Sequence, residues 1–146
     1  MSPSDEGANA YQSRLGYSRG IRRGNLIVLS GCTSFKGGAT QHVGSAYKQA
    51  VAAFETSLEA ISHLCAKELS ENPGLDVRRY VTRVRMYCKH VEDCGAVGKA
   101  MKDVFGGDGG DGGGGGEIAW AATLLAGIEL VAPEMLVEVE VEAWVD

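Results

Sequence analysis

The sequence predicts an α/β (α+β) two-layer sandwich with element order ββαβαββ, its helices on one face of a sheet. Three observations lead there. The C-terminal "MLVEVEVEAWV" alternates strictly, with Val137, Val139, Val141 and Ala143 on one side and Glu138, Glu140, Glu142 and Trp144 on the other, the period of a strand. Between His42 and about Leu69 the spacing changes to three- and four-residue steps through Tyr47, Ala50, Val51, Phe54, Leu58, Ile61 and Cys65, the wide apolar stripe of a long helix. A second stripe, Val97, Met101, Val104 and Phe105, follows another alternating segment. Two helices cover only one face of such a sheet. The other face is either solvated, with cross-strand ion pairs, or covered by further copies of the chain, and the strand lengths and apolar content favour the copies.

Taken in order, residues 1–13 are small and polar and read as a loose tail, with a single domain over 14–146. "YSRGIRRGNLIVLSG" gives two strands around Gly24, the second buried and closed by Gly31. "FKGGATQ", residues 35–41, reads as a loop. Asn72, Pro73 and Gly74 stop the long helix. "VRRYVTRVRMYC" then alternates, with Tyr80, Thr82, Val84 and Met86 on one side and Val81, Arg83, Arg85 and Tyr87 on the other. "VEDCGAVGKAMKDVF" is the second helix, and "IAWAATLLAGIEL" supplies the strand before the last.

Between them lies a glycine-rich insertion at 106–116. Its "GGDGGD" matches the opening of a calcium-binding nonapeptide, but such repeats bind calcium only when several stack. The EF-hand spacing and terminal glutamate are absent as well. The tract reads as a flexible connector whose closure cost grows slowly with length.

At 146 residues, 45% hydrophobic and 23% charged, the chain suits one ordinary globular domain. A net charge of −5 argues against nucleic-acid and anionic-membrane partners, which want a basic patch. No stretch reaches the roughly 18 apolar residues of a membrane span. The N-terminus lacks the basic and apolar regions of a secretory signal, so a cytoplasmic protein with free thiols is expected. Cys88, His90 and Cys94 in "CKHVEDC" have neither zinc spacing nor a second cysteine pair, so no metal and no cofactor is expected.

Three strings together resemble the RidA/YjgF family, also labelled endoribonuclease L-PSP: "YSRGIRRGNLIVLSGCTS", "DVRRYVTRVRMYCKHVEDCGAVGKAMKDVFG" and "LVAPEMLVEVEVEAW". The likeness spans roughly residues 17–145. It implies a chorismate-mutase-like fold and a homotrimer with small-molecule clefts between subunits. It also implies hydrolysis of reactive imines, such as 2-iminobutanoate and 2-iminopropanoate, to 2-oxoacids and ammonia. In deaminases of the family an arginine grips the substrate carboxylate as a bidentate fork. A glutamate on the last strand orients or activates water, and a tyrosine near the N-terminus and the main chain after the second strand complete the pocket. Carried over by motif, these are Glu138 and Tyr17 as catalytic candidates, with Ser30, Gly31 and Cys32 lining the cleft.

The arginine is missing. Family deaminases carry Pro-Ala-Arg-Ser just after this loop, whereas the chain reads "WAAT", with Ala122 in the arginine's place, then Thr123 and Leu124; residues 118–130 hold no arginine or lysine. Loss of such a clamp costs about 2–5 kcal/mol of binding. Arg83 or Arg85, or Arg19 beside Tyr17, can stand in for it, or the ligand can be uncharged where it meets Ala122 and Leu124. Against this, Arg83 and Arg85 can simply neutralise Glu138 and Glu140.

The functional expectation is a RidA-like imine or enamine hydrolase of altered specificity. The alternative is a non-catalytic trimer binding a small metabolite or partner in the inherited cleft. The ribonuclease label finds little support. His42, His63 and His90 fall in a loop, a helix and a turn, and no backbone-binding patch accompanies them. Cys32 has no apparent base beside it and reads as a pocket wall rather than a nucleophile.

Overall fold

The computed structural model describes residues 12–106 and 118–146. Its centre is a five-stranded sheet, formed by β1 (Gly20–Arg23), β2 (Leu26–Leu29), β5 (Val81–Cys88), β6 (Ala121–Ala126) and β7 (Val137–Trp144). The spatial order is β1-β2-β7-β5-β6. All neighbours are antiparallel except β5 and β6, which are parallel. That exception follows from the helix between them, since a parallel pair needs a crossover. The helices are α1 (Ala46–Leu64), α2 (Ala66–Glu71) and α3 (Cys94–Phe105).

The expected order of elements is present, with local departures. Residues 35–41 are a hairpin rather than a loop: Phe35–Lys36 (β3) pairs with Ala39–Thr40 (β4). Gly37 and Gly38 between them have φ of 62° and 84°, which a two-residue turn of this hand demands. The long helix begins at Ala46, not His42. His42 has a φ of 55°, outside helical space, and the Ser45 side chain accepts from the Lys48 N–H at 3.3 Å as the N-cap. Cys65 interrupts the helix before α2 carries on to Glu71.

The alternation before β5 is also corrected. A register shift between Val81 and Arg83 sends Val81 into the core and Thr82 outward, and Val77–Tyr80 is a 3-10 turn, not strand. Of the tail, residues 1–11 lie outside the described residues, and 12–15 form a helical turn. Of the glycine-rich insertion only Gly106 is described; its φ of 60° closes α3.

The core lies between helices and sheet. Val137, Val139, Val141 and Ala143 are fully buried against Phe54, Ile61, Val97 and Phe105. Each such valine contributes about 1.5–3 kcal/mol. Phe105 joins Phe54 edge-on at 5.1 Å between centroids and Trp120 at 5.3 Å, so α3 is keyed to α1 and to the entry of β6. Gln49, fully buried on α1, donates to the Glu134 carbonyl at 3.0 Å and accepts from the Leu136 N–H at 2.9 Å. It thereby ties the chain entering β7 to the helix layer. No helix among the described residues is long and apolar enough to cross a membrane.

Candidate functional site

Because the β7 valines face the helices, Glu138, Glu140 and Glu142 stand on the open face. Directly opposite them on β5 are Tyr87, Arg85 and Arg83. Arg85 Nη1 donates to Glu140 Oε2 at 3.3 Å and lies 3.5 Å from Glu142 Oε1. The Tyr87 hydroxyl donates to Glu140 Oε1 at 2.8 Å. Glu140 is therefore fully engaged, and its acceptance of that bond raises the Tyr87 pKa. The expected neutralisation of Glu138 and Glu140 by Arg83 and Arg85 is half right. The register puts Tyr87, not an arginine, opposite Glu138, and Arg85 turns to Glu140 and Glu142 instead. Among the described residues Glu138 has no ion pair or hydrogen bond, and Arg83, exposed, has none either.

Glu138 is half-buried beneath the turn that follows β2. Cys32 and Val139 exchange two backbone hydrogen bonds, each of 2.8 Å, which dock the Ser30-Gly31-Cys32 turn across β7. Gly31 thus rests on the Glu138 carboxylate. A Cβ on Gly31 would fall well inside 3.0 Å of Oε1, so glycine lets the carboxylate rest here and any larger residue would push it aside. Burial raises the Glu138 pKa above the ordinary 4.5, the charge of Glu140 adds to the rise, and Arg19 opposes it.

Arg19, half-buried, reaches the same turn from β1's approach. Its Nη1 donates to the Gly31 carbonyl at 3.1 Å and to Cys32 Sγ at 3.4 Å. Ser30 completes the clasp: its N–H donates to the Arg19 carbonyl at 2.8 Å and its hydroxyl to the Ser18 carbonyl at 2.7 Å. Tyr17 is exposed just before this strand, and its hydroxyl makes no hydrogen bond among the described residues. Cys32 is buried in the core, a wall of the turn.

The β6 candidates divide by register. Thr123 pairs with Arg85 and shares the open face with Glu138. Ala122 and Leu124 pair with Val84 and Met86 and so share the helix-facing side. Within one chain, Ala122 and Leu124 do not line a common pocket with Glu138.

A cavity of about 440 Å³ opens between α1 and the β3–β4 hairpin, lined by Arg19, Thr33, Lys36, His42, Glu55 and Glu59 among others. His63 also lines it, while His90 lies in a turn elsewhere. Among the described residues no three His, Cys, Asp or Glu side chains gather as a metal site. Cys88 and Cys94 are neighbours and all four cysteines are free thiols. Burial first, then Cys94, pushes the Cys88 pKa up to about 12, so that thiol is inert. Sequence reasoning did not find the Arg19–Gly31 contact or the Gln49 tie. Neither belongs to an apolar period, and the only prior signal was the glycine closing β2.

A half-buried carboxylate that makes no ion pair among the described residues thus lies under a glycine turn on the open face of an α+β sheet. The endoribonuclease L-PSP family model matches residues 7–145, so the chain belongs to that family, the RidA/YjgF family. It is 29% identical over 139 residues to an uncharacterized protein of Streptomyces coelicolor, covering 95% of this chain and 89% of that one. Its fold is similar to a YjgF-family crystal structure from Mycobacterium tuberculosis, with TM-score 0.67 and 24% identity, covering 99% and 96% of the two chains. A YjgF-family protein of Neisseria meningitidis gives TM-score 0.61 and 19% identity, covering 90% and 88%.

Proposed function

We propose that this RidA-like protein hydrolyses reactive imines or enamines, with Glu138 as the base. One observation carries the reading: Glu138 is half-buried, unpaired among the described residues and held above its ordinary pKa, whereas Glu140 beside it is neutralised. A carboxylate so placed takes a proton from water as the oxygen attacks the imine carbon. The tetrahedral carbinolamine then expels its nitrogen, which receives the proton. Imine and water give a carbonyl compound and ammonia. Tyr17, Ser30 and Thr123 border this reaction zone in the proposal, and no cofactor is invoked.

The proposal includes a homotrimer with clefts between subunits. The open face carries Ile21, Leu26, Leu125 and Trp144, all 39–50% exposed, around the charged rows, an apolar frame suited to burial by further copies. Light scattering should return three times the chain mass, and a monomer would refute this part. In that assembly a neighbour's Ala122–Leu124 strand can complete the cleft.

The test is ammonia release from imines generated in place by an amino-acid oxidase. Wild type should accelerate it, and Glu138→Gln should lose about 10²–10⁴-fold. Unchanged release in that variant sinks the assignment. The alanine at 122, where family deaminases carry an arginine, favours a second reading, a binder without turnover. Then no imine would be hydrolysed faster by wild type than by Glu138→Gln.

A further inference from the structure

On the open face β5 and β7 form a ladder of three cross-strand pairs: Arg83 opposite Glu142, Arg85 opposite Glu140 and Tyr87 opposite Glu138. Two of the three glutamates face an arginine, and the third faces a phenol. Arg85 has two diagonal neighbours on β7, Glu142 and Glu138, both within reach of a side chain of its length. It turns to Glu142, 3.5 Å away, while holding Glu140 Oε2 at 3.3 Å. The Tyr87 hydroxyl donates to the other oxygen, Glu140 Oε1, at 2.8 Å. The Tyr87 side chain starts opposite Glu138 and ends at Glu140, so it spans the gap that Arg85 would have to cross to reach Glu138. Successive same-face residues on a strand lie about 7 Å apart, close enough for the charge of Glu140 to act on Glu138.

We propose that Tyr87 is a positioning residue for Glu138: it holds the place where a third arginine would form an ion pair with the base, and its hydroxyl ties Glu140 to the Arg85 side of the ladder. This rests on the imine-hydrolase reading for what the base does, though not for how Tyr87 bears on Glu138. Few groups face Glu138 among the described residues. Burial beneath the Ser30–Cys32 turn raises its pKa first, Glu140 on its own strand raises it further, and Arg19 from the approach of β1 opposes both. Tyr87 faces it from β5, and β6 lies beyond, where Thr123 pairs with Arg85. Tyr87→Arg would set a guanidinium opposite the carboxylate and favour its charged form, a weaker base. Tyr87→Phe would keep the ring but leave Glu140 Oε1 without that donor, so more of the Glu140 charge would bear on Glu138. The two substitutions therefore push Glu138 in opposite directions.

Titration of the Glu138 carboxyl by carbon NMR, on the full chain made with carboxyl-labelled glutamate, tests this without a substrate; Glu138→Gln identifies the signal. The midpoint should fall by about one pH unit or more in Tyr87→Arg and rise in Tyr87→Phe. A ring that only packs would leave the Tyr87→Phe midpoint where wild type has it. An unchanged or lowered midpoint in Tyr87→Phe, or an unchanged one in Tyr87→Arg, would overturn the proposal. Should Tyr87→Arg fail to fold, Tyr87→Phe decides by the same criterion. Ammonia release, measured in parallel, separates the two ideas. Its acid limb should move with the midpoint in each variant, and Tyr87→Arg should lose about tenfold or more at neutral pH. Shifted midpoints without ammonia release from wild type leave the hold of Tyr87 standing and remove the hydrolase. Release that Glu138→Gln abolishes, with a midpoint indifferent to both Tyr87 variants, does the reverse.

Discussion

Replacing Gly31 by alanine is the sharpest test of how this site is built. The added methyl would fall well inside 3.0 Å of Glu138 Oε1, a separation Cβ atoms do not adopt. The obstacle is the end of a side chain, not backbone, so the carboxylate swings aside. Gly31 is not among the glycines with positive φ, so alanine fits its backbone. The energetic terms nearly cancel. Fewer unfolded conformations contribute about 0.4–1 kcal/mol in favour of the variant, and an off-rotamer glutamate costs about 0.5–1.5 kcal/mol. The melting temperature should therefore move by less than about 4 °C. Catalysis should respond far more, because a displacement of about 1 Å of a reacting group costs on the order of 10²-fold. Ammonia release and a thermal melt on the same preparation decide it. A folded Gly31→Ala protein within twofold of wild-type rate, where Glu138→Gln is inactive, would refute the claim that this glycine seats the base.

Further outcomes follow from the same geometry. Burial holds the Glu138 pKa above 4.5, so the base form appears only as pH rises past the usual carboxylate range; the acid limb of the rate profile should sit above 4.5 and vanish in Glu138→Gln. Glu68, held at about 2 by the Arg22 guanidinium, is the opposite case. Its lowered pKa adds stability that is complete above 4.5 and is lost as pH falls towards 2, so Glu68→Gln should flatten acid destabilisation in that window, read by denaturant melts. Phe105→Ala removes the ring between Phe54 and Trp120 and should cost about 3–5 kcal/mol in chemical denaturation. Iodoacetamide at pH 8 should modify half-buried Cys94 well before Cys88, whose buried thiol is pushed up to about 12; mass spectrometry of peptides reads the order.

The layer architecture was legible in the residues because two periods do not overlap. The valine–glutamate alternation of β7 and the three- and four-residue stripe of α1 each bury one face in only one way, and Val137, Val139, Val141, Phe54 and Ile61 are fully buried as their spacing demands. Turn chemistry was harder to read: Gly37-Gly38 makes a hairpin, and His42 in left-handed space defers the helix to Ser45. Both depend on backbone angles that no period reports. The resemblance named Glu138 and Gly31 as candidates, and the alanine at 122 was plain from the string itself. Only the tertiary structure decided which cation serves which carboxylate. Register sets Tyr87 opposite Glu138 and gives Arg85 to Glu140 and Glu142, while the crossing of the Ser30–Cys32 turn over β7 brings Arg19 and Glu138 to opposite sides of one glycine. Local pattern says which face a side chain takes. Partners across strands depend on long-range register, which a one-residue shift such as the one at Val81 rewrites.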